Sequence, residues 1–137
     1  MKSVTLVLAS LLVASFFFLG PATAQEQVPT ALQIVNRRMD FYNQHNFDEF
    51  IKLYADDVKI YTYPDKLLGI GKENITSIFK PKFSGRAIQV EIISQMNNGS
   101  HVINHELVTE EASETKYISI YEVRDGLITS VRFVRDY

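Results

Sequence analysis

The 137-residue chain contains no cysteine and no tryptophan. Without cysteine there is no disulfide framework, no thiolate nucleophile and no thiolate metal site. Histidine is scarce as well. The three present, His45, His101 and His105, have no metal-ligand spacing. His105 and Glu106 are neighbours on a predicted strand, where adjacent side chains point to opposite faces, so they cannot share one metal. No G-x-S-x-G, P-loop or dinucleotide fingerprint occurs. The Gly69-Ile70-Gly71 turn lacks the third glycine and the P-loop lysine that would make it a phosphate cradle. No metal and no cofactor is therefore expected. Positive charge is not in excess either. Fourteen basic residues face 16 acidic ones, a net charge of −2, which gives no electrostatic case for binding nucleic acid or an anionic membrane.

Long hydrophobic runs are limited to one. Lys2 precedes an apolar stretch, Val4–Leu19, ending in Phe16-Phe17-Phe18 and broken by Gly20-Pro21. The run is shorter than the roughly 18 apolar residues of a membrane span. Ala22-Thr23-Ala24 follows it as a small-x-small cleavage site. Residues 1–24 are thus expected to be a signal peptide, with a mature chain starting at Gln25 that is secreted or periplasmic and free of the membrane. Removing Lys2 leaves 13 basic against 16 acidic residues, a net charge of −3. Gln25–Pro29 is a polar lead, and residues 30–137 form one domain. The 113 residues from Gln25 onward hold one core without much surplus, so a homodimer is expected.

The domain itself reads in order. Thr30 caps a helix starting at Ala31, with Leu32, Val35, Met39 and Tyr42 as an apolar stripe and Arg37, Arg38 and Asp40 mostly off it. Asn43–Asn46 closes that helix, and Asp48 caps a second one whose Phe47, Phe50, Ile51 and Tyr54 share a face. Val58–Tyr63 alternates and predicts a strand ended by Pro64-Asp65. Gly69 and Gly71 bracket a turn before a third helix over Lys72–Lys80, which Pro81 stops. From Arg86 onward the pattern is strands: Ala87–Met96, a turn at Asn97-Asn98-Gly99, His101–Glu110, a polar loop, then Glu114–Tyr137 folded at Asp125-Gly126. The order α-α-β-α-β-β-β-β is an α+β layout.

Several segments carry a family resemblance: "DEFIKLYADDVKIYTYPD" (48–65), "GIGKENITSIF" (69–79), "HVINHELVTEE" (101–111) and "YISIYEVRDGLITSVRF" (117–133). Over residues 30–137 the chain resembles a SnoaL-like domain of the nuclear transport factor 2-like superfamily. The resemblance implies a curved, mixed or antiparallel sheet wrapped around three helices like a cone. The open end of such a cone holds a small, mostly apolar molecule. It also raises ketosteroid isomerase chemistry, which needs a carboxylate base and an oxyanion hole of tyrosine plus protonated aspartate. Aligned on "YADD", those three residues fall on Arg38, Thr62 and near Ser119. All three are changed, so that isomerase is not expected.

Within such a cone the candidate ligand-pocket residues are Tyr61, Tyr63, Tyr117, Ser119, Tyr121 and Phe133, with Asn104 a further polar candidate. His105 or Glu106 is the candidate acid or base, one of the two, because only one can face inward. Each also has a plain structural reading: a hydrogen-bonded strand histidine, a surface carboxylate, tyrosines packed with a wet hydroxyl. The face depends on register. A three-residue turn pairing Val123 with Leu127 puts Tyr117, Ser119, Tyr121, Val131 and Phe133 on one face. Pairing Glu110 with Thr115 then puts Glu106 inside. Two sequons, at Asn98 in a turn and at Asn74, are possible N-glycosylation acceptors. The expected function is non-catalytic binding of a small apolar or amphipathic molecule. The alternative is a cofactor-independent isomerase, hydrolase or cyclase using His105 or Glu106.

Overall fold

The computed structural model describes residues 27–85 and 87–135. The expected signal peptide lies outside these residues, as does the expected mature terminus Gln25. Helix α1 spans Ala31–Asn43. Its start is fixed by a capping box: Thr30 Oγ1 accepts from the Gln33 amide and Gln33 Oε1 accepts from the Thr30 amide. Ala31, Ile34, Val35, Arg38, Met39 and Tyr42 are its buried residues. They follow the i, i+3, i+4, i+7, i+8, i+11 rhythm of one helix face. Arg38 therefore lies on the stripe, not beside it.

His45 at φ 55° reverses the chain, and helix α2 runs over Phe47–Lys52. Its cap is Asn46 rather than Asp48. The Asn46 side chain accepts from the Glu49 amide, which leaves Asp48 inside the first turn, where its charge suits the helix dipole. Strand β1 covers Tyr54–Thr62 and β2 covers Lys66–Ile70. The β2 strand adds to the sequence expectation, which had only a turn there. Helix α3, Lys72–Gly85, continues through Pro81. Pro81 is exposed, so the carbonyl it orphans can turn to water. Phe83, one half-turn on, is buried against Phe47, Phe50 and Tyr42. That burial outweighs the stop signal.

Strands β3 (Ile88–Asn98), β4 (His101–Glu110), β5 (Ser113–Arg124) and β6 (Leu127–Arg135) complete one six-stranded sheet ordered β2-β1-β6-β5-β4-β3. The β1–β6 pair is parallel and the others antiparallel. Bulges interrupt β1–β2, β3–β4 and β5–β6, and bulges bend and twist a sheet. All three helices supply the core on one face of it. Phe50, Tyr54, Val58, Val102, Tyr121 and Ile128 are fully enclosed there. Among the described residues no helix is long and apolar enough to cross a membrane.

The hairpin registers differ in detail from expectation. Arg124 pairs with Leu127 across Asp125 and Gly126, both at positive φ (50° and 75°), the signature of a two-residue I′ turn. A bulge then shifts the pairing, so that Tyr121 faces Val131 and Ser119 faces Phe133. The bulge restores the inner face that a three-residue turn would have produced. On the other side Glu110 pairs with Ser113, not Thr115. A two-residue slip preserves facing, and Glu106 stays inside.

Candidate ligand cavity

A cavity of about 390 Å³ opens between the sheet and helices α1 and α3. Its walls include Ile60, Phe79, Val90, Val108, Tyr117 and Phe133, and the last two rings meet edge-on at 6.1 Å. Exposed Lys66, Leu68, Ile78 and Arg135 mark the mouth, where Lys82 also pairs with Glu110 through two 2.7 Å contacts. The closed end holds Arg38 and Glu106, each 3% exposed.

Glu106 is surrounded by donors. Oε1 accepts from Asn104 Nδ2 at 3.0 Å and from the Tyr121 hydroxyl at 2.8 Å, and Oε2 accepts from Ser119 Oγ at 2.9 Å. Strand alternation explains the cluster. Asn104 and Glu106 are two apart on β4, opposite Ser119 and Tyr117 on β5. Asn104 is itself oriented by Gln95, whose Nε2 donates to Asn104 Oδ1 and to Asn36 Oδ1, each at 2.9 Å.

Arg38 sits among the rings of Tyr42, Phe50, Phe79 and Tyr121, with its Cζ 5.1–5.8 Å from their centroids. Such stacking retains attraction for a desolvated cation. Its Nε donates to the Tyr54 hydroxyl at 2.6 Å, and Nη1 contacts Met39 Sδ at 3.5 Å. Nη2 has no protein acceptor among the described residues, yet no buried side-chain nitrogen or oxygen there lacks a partner. Nη2 is therefore open to the cavity space. Burial works against the guanidinium charge, but Tyr121, Tyr54 and Glu106 outweigh it and hold the proton more firmly than usual. Burial pushes the phenols of Tyr54 and Tyr121 up and that of Tyr42 up to about 12. All three remain neutral hydroxyls at physiological pH.

The structure brings Glu106, Tyr117, Ser119, Tyr121 and Phe133 to this inner face, with Asn104 beside them. It does not bring His105, Tyr61 or Tyr63. His105 is half-buried on the opposite face, across from Ile118. Tyr61 lies on that outer face with the Arg132 guanidinium 4.5 Å above its ring, and Tyr63 is 59% exposed. Their places in the cavity wall are taken by Ile60 and Thr62. Arg38 is the site residue that sequence reasoning missed. Its signal was position, three after Val35 and four before Tyr42. Of the two sequon asparagines, Asn98 is exposed at the β3 end, whereas Asn74, in α3, donates to the carbonyl of Ile70 at the end of β2 at 2.6 Å. Among the described residues no group of three or more His, Asp or Glu side chains could hold a metal.

The family model for the SnoaL-like domain matches residues 35–131. The chain belongs to this family. Solved structures place the SnoaL-like domain in the nuclear transport factor 2-like fold. A nuclear transport factor 2-like protein of unknown function from Cytophaga hutchinsonii superposes with a TM-score of 0.69 at 15% identity, covering 81% of this chain and 94% of that one. An uncharacterised cystatin-fold protein from Novosphingobium aromaticivorans gives 0.68 at 20%, covering 78% and 99%. An LEH-like epoxide hydrolase of M. tuberculosis gives 0.63 at 17%, covering 77% and 82%. At these identities the likeness is one of fold. A search of curated proteins gives no match.

Proposed function

We propose that this SnoaL-like protein is exported and binds one small amphipathic molecule in the cone, without transforming it. One observation carries the reading. A cavity of about 390 Å³ has an apolar wall, a polar closed end and an open mouth, the features of a small-molecule site. Glu106 at that end already accepts three hydrogen bonds. Those donors already occupy most of the roughly four lone-pair sites of the carboxylate, which favours binding over proton abstraction. Native mass spectrometry of the protein purified from its own source should show one retained small molecule. Denaturation should release it.

A second reading keeps Glu106 as a general acid or base of an isomerase, hydrolase or cyclase, because it is the acidic group at the closed end of the cavity. An epoxide hydrolase shares the fold. With any turnover in hand, Glu106→Gln should abolish it while His105→Gln leaves it intact. Full activity in Glu106→Gln rejects this reading.

A further inference from the structure

Arg38 and Glu106 share the closed end of the cavity without touching, since no guanidinium nitrogen comes within the 4.0 Å of an ion pair. Both are held against Tyr121, one by its ring and the other by its hydroxyl. Arg38 offers an unused donor, Nη2, to the cavity. Glu106 has spare acceptor capacity. A carboxylate has about four lone-pair sites, and Oε2 accepts only from Ser119.

We infer that this donor–acceptor pair recognises a hydroxyl group, so that the ligand is an apolar molecule ending in an alcohol or phenol. A hydroxyl accepts one hydrogen bond and donates another. Its oxygen can take the Nη2 proton while its own hydrogen goes to Oε2, and an oxygen bonded to both spans a gap of roughly 4.5–5.5 Å. Other head groups fit less well. A ketone satisfies Arg38 and leaves Glu106 facing an oxygen. A carboxylate brings a second negative charge against Glu106, and an ammonium brings a second positive charge against Arg38. Arg38 and Glu106 are of opposite sign, so a neutral head adds no third charge to the buried site. The apolar wall takes the rest of the molecule. The inference rests on the cavity being a ligand site.

The test uses three naphthalenes substituted at the same carbon with hydroxyethyl, acetyl or isopropyl. The three substituents have the same number of heavy atoms, and hydroxyethyl (as CH(OH)CH3) and isopropyl also share a tetrahedral carbon. Displacement of the neutral dye Nile red from the purified protein measures each affinity. The hydroxyethyl compound should bind at least about tenfold tighter than the acetyl compound, because a site built for a hydroxyl rejects an analogue lacking it. The preference should fall below about threefold in Arg38→Met and in Glu106→Gln, with unchanged circular dichroism. If either variant fails to fold, the comparison in the unmodified protein decides alone. Equal binding of all three, or a preference for acetyl or isopropyl, overturns the hydroxyl inference and leaves the cavity as a binding site. Failure of the dye and all three compounds to bind rejects the cavity reading itself, and the inference with it.

Discussion

Tyr121 links buried Glu106 and buried Arg38: its hydroxyl donates to Glu106 at 2.8 Å, and its ring lies 5.1 Å from the Arg38 guanidinium carbon. Tyr121 on β5 thus reaches Arg38 on α1 as well as Glu106 on β4, at the cavity's closed end. Removing the hydroxyl tests its worth. Tyr121→Phe should cost about 2 kcal/mol in urea unfolding, as for one hydrogen bond to a charged group. Glu106→Ala should cost more, about 3–5 kcal/mol, because three buried donors lose their acceptor together. Equal losses in the two variants would contradict this linkage.

Alkaline pH should unfold the protein through its buried phenols. Tyr42 has a folded-state value pushed from 10.0 to about 12 by burial, and Tyr54 and Tyr121 move the same way. A raised folded value means that stability is fully present below the ordinary value near 10.0. It is lost as pH rises through about 12. Phenolate absorbance should therefore show Tyr42, Tyr54 and Tyr121 ionising only as circular dichroism is lost. A single normal titration with the fold intact contradicts the burial.

Export is proposed from Val4–Leu19 and Ala22-Thr23-Ala24. N-terminal sequencing of the protein recovered outside the cytoplasm should begin at Gln25. A chain that keeps Met1 and sediments with membranes would contradict it.

A homodimer is proposed through the outer sheet face. Leu67, Tyr61, Arg132, Ile120, Ile103 and Met96 lie in one cross-strand row there. Leu67 and Met96 are 47% and 65% exposed. Apart from Arg132, which lies over the Tyr61 ring, the row is apolar, and such a row on an open face favours a matching copy of itself. Sedimentation at micromolar concentration should give a dimer, and Ile120→Glu should return it to monomer. A monomeric protein whose stability is unchanged by that substitution rejects this face.

Much of this architecture is legible in the chain because strand alternation tolerates even slips. Glu106 faces inward whether Glu110 pairs with Thr115 or, as it does, with Ser113. Ser119, Tyr121 and Phe133 share its face because the bulge beyond the Asp125-Gly126 turn compensates for a shorter loop. The same alternation places Tyr61 and Tyr63 with Lys59, away from Val58, Ile60 and Thr62, so the first-strand tyrosines face outward. Arg38 was obscured for the opposite reason. Its charge argued for solvent, while its position in the stripe of Ile34, Val35, Met39 and Tyr42 put it in the core. The passage of α3 through Pro81 depends on the burial of Phe83 against distant rings, and no local signal carries that.

If the cavity is a ligand site, filling it with a larger side chain must block binding. Val108 is half-buried in the cavity wall, so Val108→Trp should occupy the space a ligand needs. Titration with Nile red should show saturable one-to-one binding to the unmodified protein. Affinity should fall at least about tenfold in Val108→Trp at unchanged circular dichroism. Equal dye affinity in the two folded proteins would mean that the cavity is not where the ligand sits.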